Sequence, residues 1–165
     1  MRLHLYIYKV AICLCTVLLS ASCTQQTVYF HTEPVDLQGW TRTEELHFLL
    51  PANVVADSCR AWVGVRCSHA YPYMTLALEV RQQAAATTEH TDTILMQVYD
   101  AYGAMKGNGL HLMSYTAPMP LHPIDADTLR ITLRHIMRAD TLKGVADLSI
   151  KVDRAIRQPV RKHNQ

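Results

Sequence analysis

The sequence predicts an all-β protein, an antiparallel β-sandwich of about seven strands that follows a cleaved N-terminal segment. Three observations carry that reading. Apolar and polar residues alternate with period two in stretch after stretch from residue 43 onward, the signature of half-buried strands. Glycine, proline and short polar runs punctuate those stretches at near-regular intervals. No stretch beyond residue 23 repeats convincingly at helical period. The expected architecture is therefore two packed antiparallel sheets and not a βαβ fold.

The chain opens with a segment that does not belong to the domain. Arg2 and Lys9 are its only charges, and residues 10–19 form an apolar run of about ten residues, the length of a signal-peptide core. A spanning helix needs about twenty. Ser20, Ala21 and Ser22 then precede Cys23. Small side chains suit the narrow pocket of a signal peptidase. A cysteine at the new N-terminus offers a thiol for diacylglycerol and a free amine for a further acyl chain such as palmitate. Residues 1–22 are read as a lipoprotein signal peptide and Cys23 as the lipidated residue. Leu19 lies four residues before the cysteine, where the common pattern places leucine three before it. Thr24-Gln25-Gln26 follows, with no aspartate and no acidic run. The expected address is the outer membrane, facing the periplasm.

Residues 23–38 are polar and weakly patterned, and read as the lipidated N-terminus and a tether. The β-sandwich domain is expected over 39–154. In 43–50, Leu46, Phe48 and Leu50 share a face, and Pro51 ends the strand. In 59–67, Cys59, Ala61, Val63, Val65 and Cys67 point inward. A turn over 68–72 leads to a strand with Met74, Leu76, Leu78 and Val80 inward. Residues 82–90 lack an apolar stripe and read as the longest loop. Ile94, Met96 and Val98 define the next strand. Residues 100–109 hold Gly103, Gly107 and Gly109 and read as a loop. A short strand over 110–115 stops before Pro118, Pro120 and Pro123. Leu129, Ile131 and Leu133 give the clearest alternation in the chain. Ala146, Leu148, Ile150 and Val152 give the last strand. Residues 155–165 read as a basic, disordered tail.

Charge and cysteine usage exclude several classes. Sixteen Lys and Arg stand against fourteen Asp and Glu in 165 residues. With Arg2 and Lys9 removed, the mature chain carries fourteen of each. Arg154, Arg157, Arg161 and Lys162 form a basic end without an acid, so the body before them is mildly acidic, which is not a nucleic-acid surface. Of the five cysteines, Cys13 and Cys15 leave with the signal and Cys23 takes lipid. Cys59 and Cys67 lie eight apart in one strand, roughly 26 Å at strand rise, far beyond the ~7 Å that a disulfide spans. Two buried free thiols are expected. His31, His47, His69, His90, His111, His122 and His135 show no metal-ligand spacing, and there is no C-x-x-C, H-E-x-x-H or G-x-S-x-G. No enzyme activity, metal or cofactor is expected.

Four features then coincide. They are Gly39-Trp40 before an acidic alternating strand, Arg66 followed by Tyr71-Pro72-Tyr73-Met74-Thr75-Leu76, Thr91-Asp92-Thr93 with Gly107-Asn108-Gly109 beyond it, and Leu142-Lys143-Gly144-Val145-Ala146-Asp147 leading into the last strand. In this order, and behind the lipobox, the chain resembles the gliding-motility lipoprotein GldH family from about residue 29 to residue 154. The resemblance implies an outer-membrane lipoprotein without known enzymatic activity, linked to the gliding machinery and through it to type IX protein secretion. It implies the lipid bilayer and other machinery proteins as partners. Trp62, Tyr71 and Tyr73 are the candidate partner surface, since aromatic side chains anchor interfaces. The alternative is a binding module for glycan or peptide, with an aromatic patch around Trp62, Tyr73 and Tyr99.

Overall fold

The computed structural model describes residues 25–55, 59–85, 88–122 and 126–155. The alternating stretches form the strands that their pattern demands. In β3 (Leu46–Pro51) burial alternates strictly, with Leu46, Phe48 and Leu50 inward. The same period buries Ala61, Val63, Val65 and Cys67 of β4 (Cys59–Ser68) and Leu76, Leu78 and Val80 of β5 (Thr75–Ala85). It continues through β6 (Thr88–Gln97), β7 (Leu112–Met119), β8 (Thr128–His135) and β10 (Val145–Ala155). Leu129, Ile131 and Leu133 are at most 1% exposed, and Leu148, Ile150 and Val152 are fully buried.

Two four-stranded sheets result. The first has the order β1-β10-β4-β7, the second β3-β8-β5-β6, where β1 is Gln25–Pro34. A two-stranded ribbon joins β2 (Trp40–Thr41) to β9 (Thr141–Leu142). Every strand pair is antiparallel. The inward residues of both sheets merge into one apolar core, as face-to-face packing of sheets requires. The all-β sandwich expected from the sequence is the fold observed, with ten strands among the described residues.

Several boundaries differ from the sequence reading. Residues 25–34 are not tether but the edge strand β1, paired along its length with β10. The polar composition suits a strand with one solvated face, and long-range pairing holds it there. Residues 82–85 and 88–90 are not loop. They extend a long β5–β6 hairpin, whose backbone groups satisfy one another without an apolar stripe. Gln82, 1% exposed, donates from its amide to the Pro120 carbonyl at 2.9 Å, so a polar residue in the supposed loop ties β5 to the chain beyond β7. β7 also continues through Pro118, opposite Trp62. It is an edge strand, where the missing N–H of proline is tolerated. Met74 is exposed instead of inward. Cys59 and Cys67 sit at opposite ends of β4 as free thiols. Only Cys67 is buried, and Cys59 is half-buried. The signal segment, Cys23 and residues 156–165 lie outside the described residues.

Candidate functional site

Strand register assigns the sandwich two ends of different character. Gln25 pairs with Ala155, and Arg154 with Cys59, so the start of β1, the end of β10 and the start of β4 share one end. In the sequence Cys23 is two residues before Gln25, the residue that opens β1 at that end. At the other end Val145 pairs with Cys67, Ser68 with Leu112 and Thr75 with Gln97. Strands of eight to eleven residues separate the ends by roughly 30 Å. The segments 35–39, 69–74, 98–111 and 136–144 all belong to the end far from Cys23.

That far end gathers exposed apolar side chains. Tyr102 is 97% exposed and Leu110 87%. Leu37, Tyr73, Met74 and Ile136 are also exposed. Local hydrogen bonds hold the loops that carry them. The Asp100 carboxylate accepts the backbone N–H groups of Tyr102 (2.8 Å) and Ala104 (2.9 Å), a side-chain turn that presents Tyr102 at its tip. A cleft of about 500 Å³ lies between the loops, lined by His69, Tyr71, Pro72, Met74, Tyr99 and Asp100 among others.

Tyr71 corrects the sequence reading. It is 1% exposed and belongs to the core, so its side chain is not a partner surface. Its hydroxyl donates to the Thr75 carbonyl at 2.8 Å, and its own carbonyl accepts from the Tyr99 hydroxyl at 2.9 Å. Burial pushes the Tyr71 phenol well above its ordinary range. Tyr73 stands edge-on to it, with ring centroids 5.8 Å apart, and is 38% exposed. Tyr71 is thus the buried foundation beneath Tyr73. Tyr99 joins the same end through its hydrogen bond, whereas Trp62 does not.

Trp62 is half-buried on the outer face of the first sheet, in one cross-strand row with Phe30, Lys151 and Pro118. The next row is Thr32, Ser149, Gly64 and Thr116. Glycine at its centre leaves a depression of about 360 Å³, into which Phe30, Arg66 and Asp147 also face. A Cβ on Gly64 would lie 2.3 Å from the Ser149 hydroxyl oxygen. Arg66 closes one side of the depression. Its Nε donates to both carboxylate oxygens of Asp147, at 2.9 and 2.8 Å, and its Nη2 donates to Oδ2 as well. Sequence reasoning missed Phe30, which it placed in a tether, and, Tyr73 apart, the exposed loop residues, which follow no period.

Among the described residues no three His, Cys, Asp or Glu side chains converge as metal ligands would. His122 Nε2 is 2.9 Å from an Asp92 carboxylate oxygen, and its ring stacks on that of His90 at 4.3 Å. These contacts secure the chain beyond β7 against β6.

A family model described as GldH lipoprotein matches residues 27–152. No curated protein matches the chain. Among solved structures, the chain is similar to the Eiger TNF of S. frugiperda, at 14% sequence identity and a TM-score of 0.32. The likeness covers 64% of this chain and 65% of that one, so this chain spans just under two thirds of that protein's length.

Proposed function

The chain belongs to the GldH lipoprotein family, and from that premise we propose that it is a non-enzymatic component of the gliding-motility envelope machinery linked to type IX secretion. In this reading acylated Cys23 fixes the protein to the outer membrane, facing the periplasm. The far loops make the contacts with other machinery proteins. The observation that supports it is the division of labour between the two ends. Cys23 lies within two residues of the sandwich at one end, and the exposed apolar side chains of Tyr73, Met74, Tyr102, Leu110 and Ile136 gather at the other. Exposed apolar groups in one region mark interaction sites in soluble domains.

The test is in-cell photo-crosslinking from single positions of an epitope-tagged chain, followed by mass spectrometry of outer-membrane fractions. A crosslinker at Tyr102 should capture gliding or secretion lipoproteins. One at Leu49, exposed on the second sheet, should not. Equal capture from both positions, or abundant porins alone, would remove the reading.

The depression at Gly64 favours a second reading, a binding module for an envelope glycan. Thr32, Thr116 and Ser149 offer hydroxyls beside an exposed Phe30 ring, a pairing that suits sugar hydroxyls and a sugar's apolar face. Titration with envelope polysaccharide should give binding that Gly64→Leu abolishes. No binding by the wild-type chain would retire this alternative.

A further inference from the structure

We propose that the cleft between the edge strands β6 and β7 receives the free C-terminus of a partner protein. The partner's last residues add to β7 as an extended antiparallel strand and place the terminal carboxylate beside Lys106. The cleft is on the flank of the sandwich, and its role is independent of the one proposed for the far loops.

Both sheets end at this flank in an edge strand, β7 for the first sheet and β6 for the second. The outward backbone groups of an edge strand are a template for a further strand. On β7 their phase is fixed by Ser114. Its N–H donates to the Asn108 carbonyl at 2.9 Å, and its carbonyl accepts from the Asn108 N–H at 3.2 Å. Ser114 therefore turns its backbone away from β4. Alternate residues of an antiparallel ladder turn the same way. The register of β4 with β7 is unbroken from Leu112 to Met119, so the Thr116 N–H and the carbonyls of Thr116 and Pro118 also point away from β4. Both residues line the cleft, whose volume is about 330 Å³. Proline at 118 falls in the phase where β7 needs no N–H toward β4.

Asn108 shows how an added strand runs. It pairs with Ser114 in antiparallel sense, as the first rung of a ladder on the outer side of β7. The chain before it crosses to β6, where the Lys106 N–H donates to the Val98 carbonyl at 2.9 Å and Met105 bridges Tyr99. The rungs opposite Thr116 and Pro118 are left without a partner strand among the described residues. β7 runs away from the far end, from Leu112 opposite Ser68 to Met119 opposite Ala61. An antiparallel addition runs toward the far end and meets Asn108 there. It must stop short, so a chain terminus fits and a straight continuing strand does not.

The chemistry at that stop suits a carboxylate. Lys106 is the one charged residue that lines the cleft, and its ammonium donates to the Gln97 side-chain oxygen at 2.9 Å. A terminal carboxylate opposite Thr116 would accept the Thr116 N–H and face that ammonium, a charge-assisted pairing. The surrounding acids are engaged or distant. Asp100 accepts two backbone N–H groups of its own turn, Asp147 is held by Arg66 and Glu79 by Arg134. Asp92 pairs with His122, and Glu89 lies beyond it toward the other end of β6. The rim is apolar at Leu95, which is 66% exposed. Main-chain pairing with a terminal carboxylate captured at one end is an established mode of peptide recognition.

The experiment uses the chain from residue 23 onward with Cys23→Ser, which keeps it in solution. The probe is fluorescein-labelled Ser-Thr-Val-Thr-Val-Thr-Val, with either a free C-terminal carboxylate or a C-terminal amide, read by fluorescence anisotropy. The carboxylate peptide should bind, and the amide about fivefold more weakly or worse. Lys106→Gln should weaken the carboxylate peptide to the same degree and leave the amide peptide unchanged. Thr116→Pro removes the outward N–H at an edge that already holds Pro118, and should cost about fivefold for both peptides. Hydrogen exchange reads the rung directly in the unmutated strand. At a peptide concentration ten times its Kd, the Thr116 amide should slow about tenfold, while the Ser114 amide, already bonded to Asn108, should not change. Binding of neither peptide, or an unprotected Thr116 amide, overturns the proposal. Equal binding of both peptides would assign the cleft to an internal strand or a second copy of this chain, and overturns it as well.

Discussion

His135 and Trp40 bury one another where β8 meets the β2–β9 ribbon. Both are fully buried, their rings meet edge-on at 4.9 Å, and His135 donates from Nε2 to the Trp40 carbonyl at 3.2 Å. The Nδ1 atom has no hydrogen-bond partner among the described residues. A neutral ring with its proton on Nε2 fits that environment, and a charged ring would place an unpaired donor in the core. Burial, reinforced by Arg42, lowers the His135 pKa, and the hydrogen bond to Trp40 offsets this only in part.

That arrangement makes stability depend on pH. The unfolded chain takes up a proton near pH 6.5 that the folded protein refuses. Stability is therefore fully present above pH 6.5 and falls as pH drops below it, at up to about 1.4 kcal/mol per pH unit until His135 itself protonates. Thermal unfolding between pH 7 and 5 should show this slope. His135→Gln, which keeps a donor and does not titrate, should flatten it. Identical slopes would assign the acid sensitivity elsewhere.

Two glycines with the same backbone conformation should respond differently to alanine. Gly103 and Gly144 both have φ near +80°. At Gly103 a Cβ meets nothing within 4 Å, whereas at Gly144 it would lie 2.4 Å from the Tyr71 nitrogen and 2.7 Å from the Ala70 carbonyl carbon. Gly103→Ala should cost about 1 kcal/mol, the left-handed conformation alone. Gly144→Ala must also displace backbone and should cost about 3 kcal/mol or more. Chemical denaturation of the two variants measures the difference, and equal losses would contradict it.

The two thiols of β4 should differ in reactivity. Cys67 is fully buried, and burial, followed by the charge of Asp147, raises its pKa to about 12. Cys59 is half-buried at the other end of the strand. Iodoacetamide added to the native protein should label Cys59 alone, with Cys67 reacting only after unfolding. Mass spectrometry of the peptides decides it, and labelling of Cys67 at a comparable rate would mean that β4 opens readily.

The ion pair across β4 and β10 should be asymmetric. The Asp147 side chain is 8% exposed and that of Arg66 51%. Removing Arg66 strands a buried carboxylate, while removing Asp147 leaves a guanidinium that water can solvate. Arg66→Met should therefore cost about 1–3 kcal/mol, and Asp147→Asn less. The reverse order in denaturant titrations would show that Asp147 is better solvated than its burial indicates.

Cys23→Ser should release the protein from membranes into the soluble periplasmic fraction, because two or more acyl chains are what make anchoring stable. Cell fractionation with salt-washed membranes is the measurement. Retention of the variant after the wash would mean that another element anchors the chain.

The sequence by itself determined the fold class and most of the core. Leu46, Phe48 and Leu50, or Leu129, Ile131 and Leu133, alternate with polar neighbours because one face of each strand is buried, and that period is written locally. The pattern read as a lipobox before Cys23 is local in the same sense. Only the tertiary structure decided what depends on partners distant in the chain. β1 has little apolar pattern of its own, and it is a strand because β10, more than a hundred residues later, pairs with it. Tyr71 reads as an exposed turn aromatic beside Pro72, yet the β4–β5 connection folds it under Tyr73 and into the core. Phe30, Thr32, Gly64, Thr116 and Ser149 gain a shared depression only through cross-strand register. Backbone hydrogen bonds between residues far apart in the chain set these neighbours, and no local run of side chains specifies which strand will supply the partner.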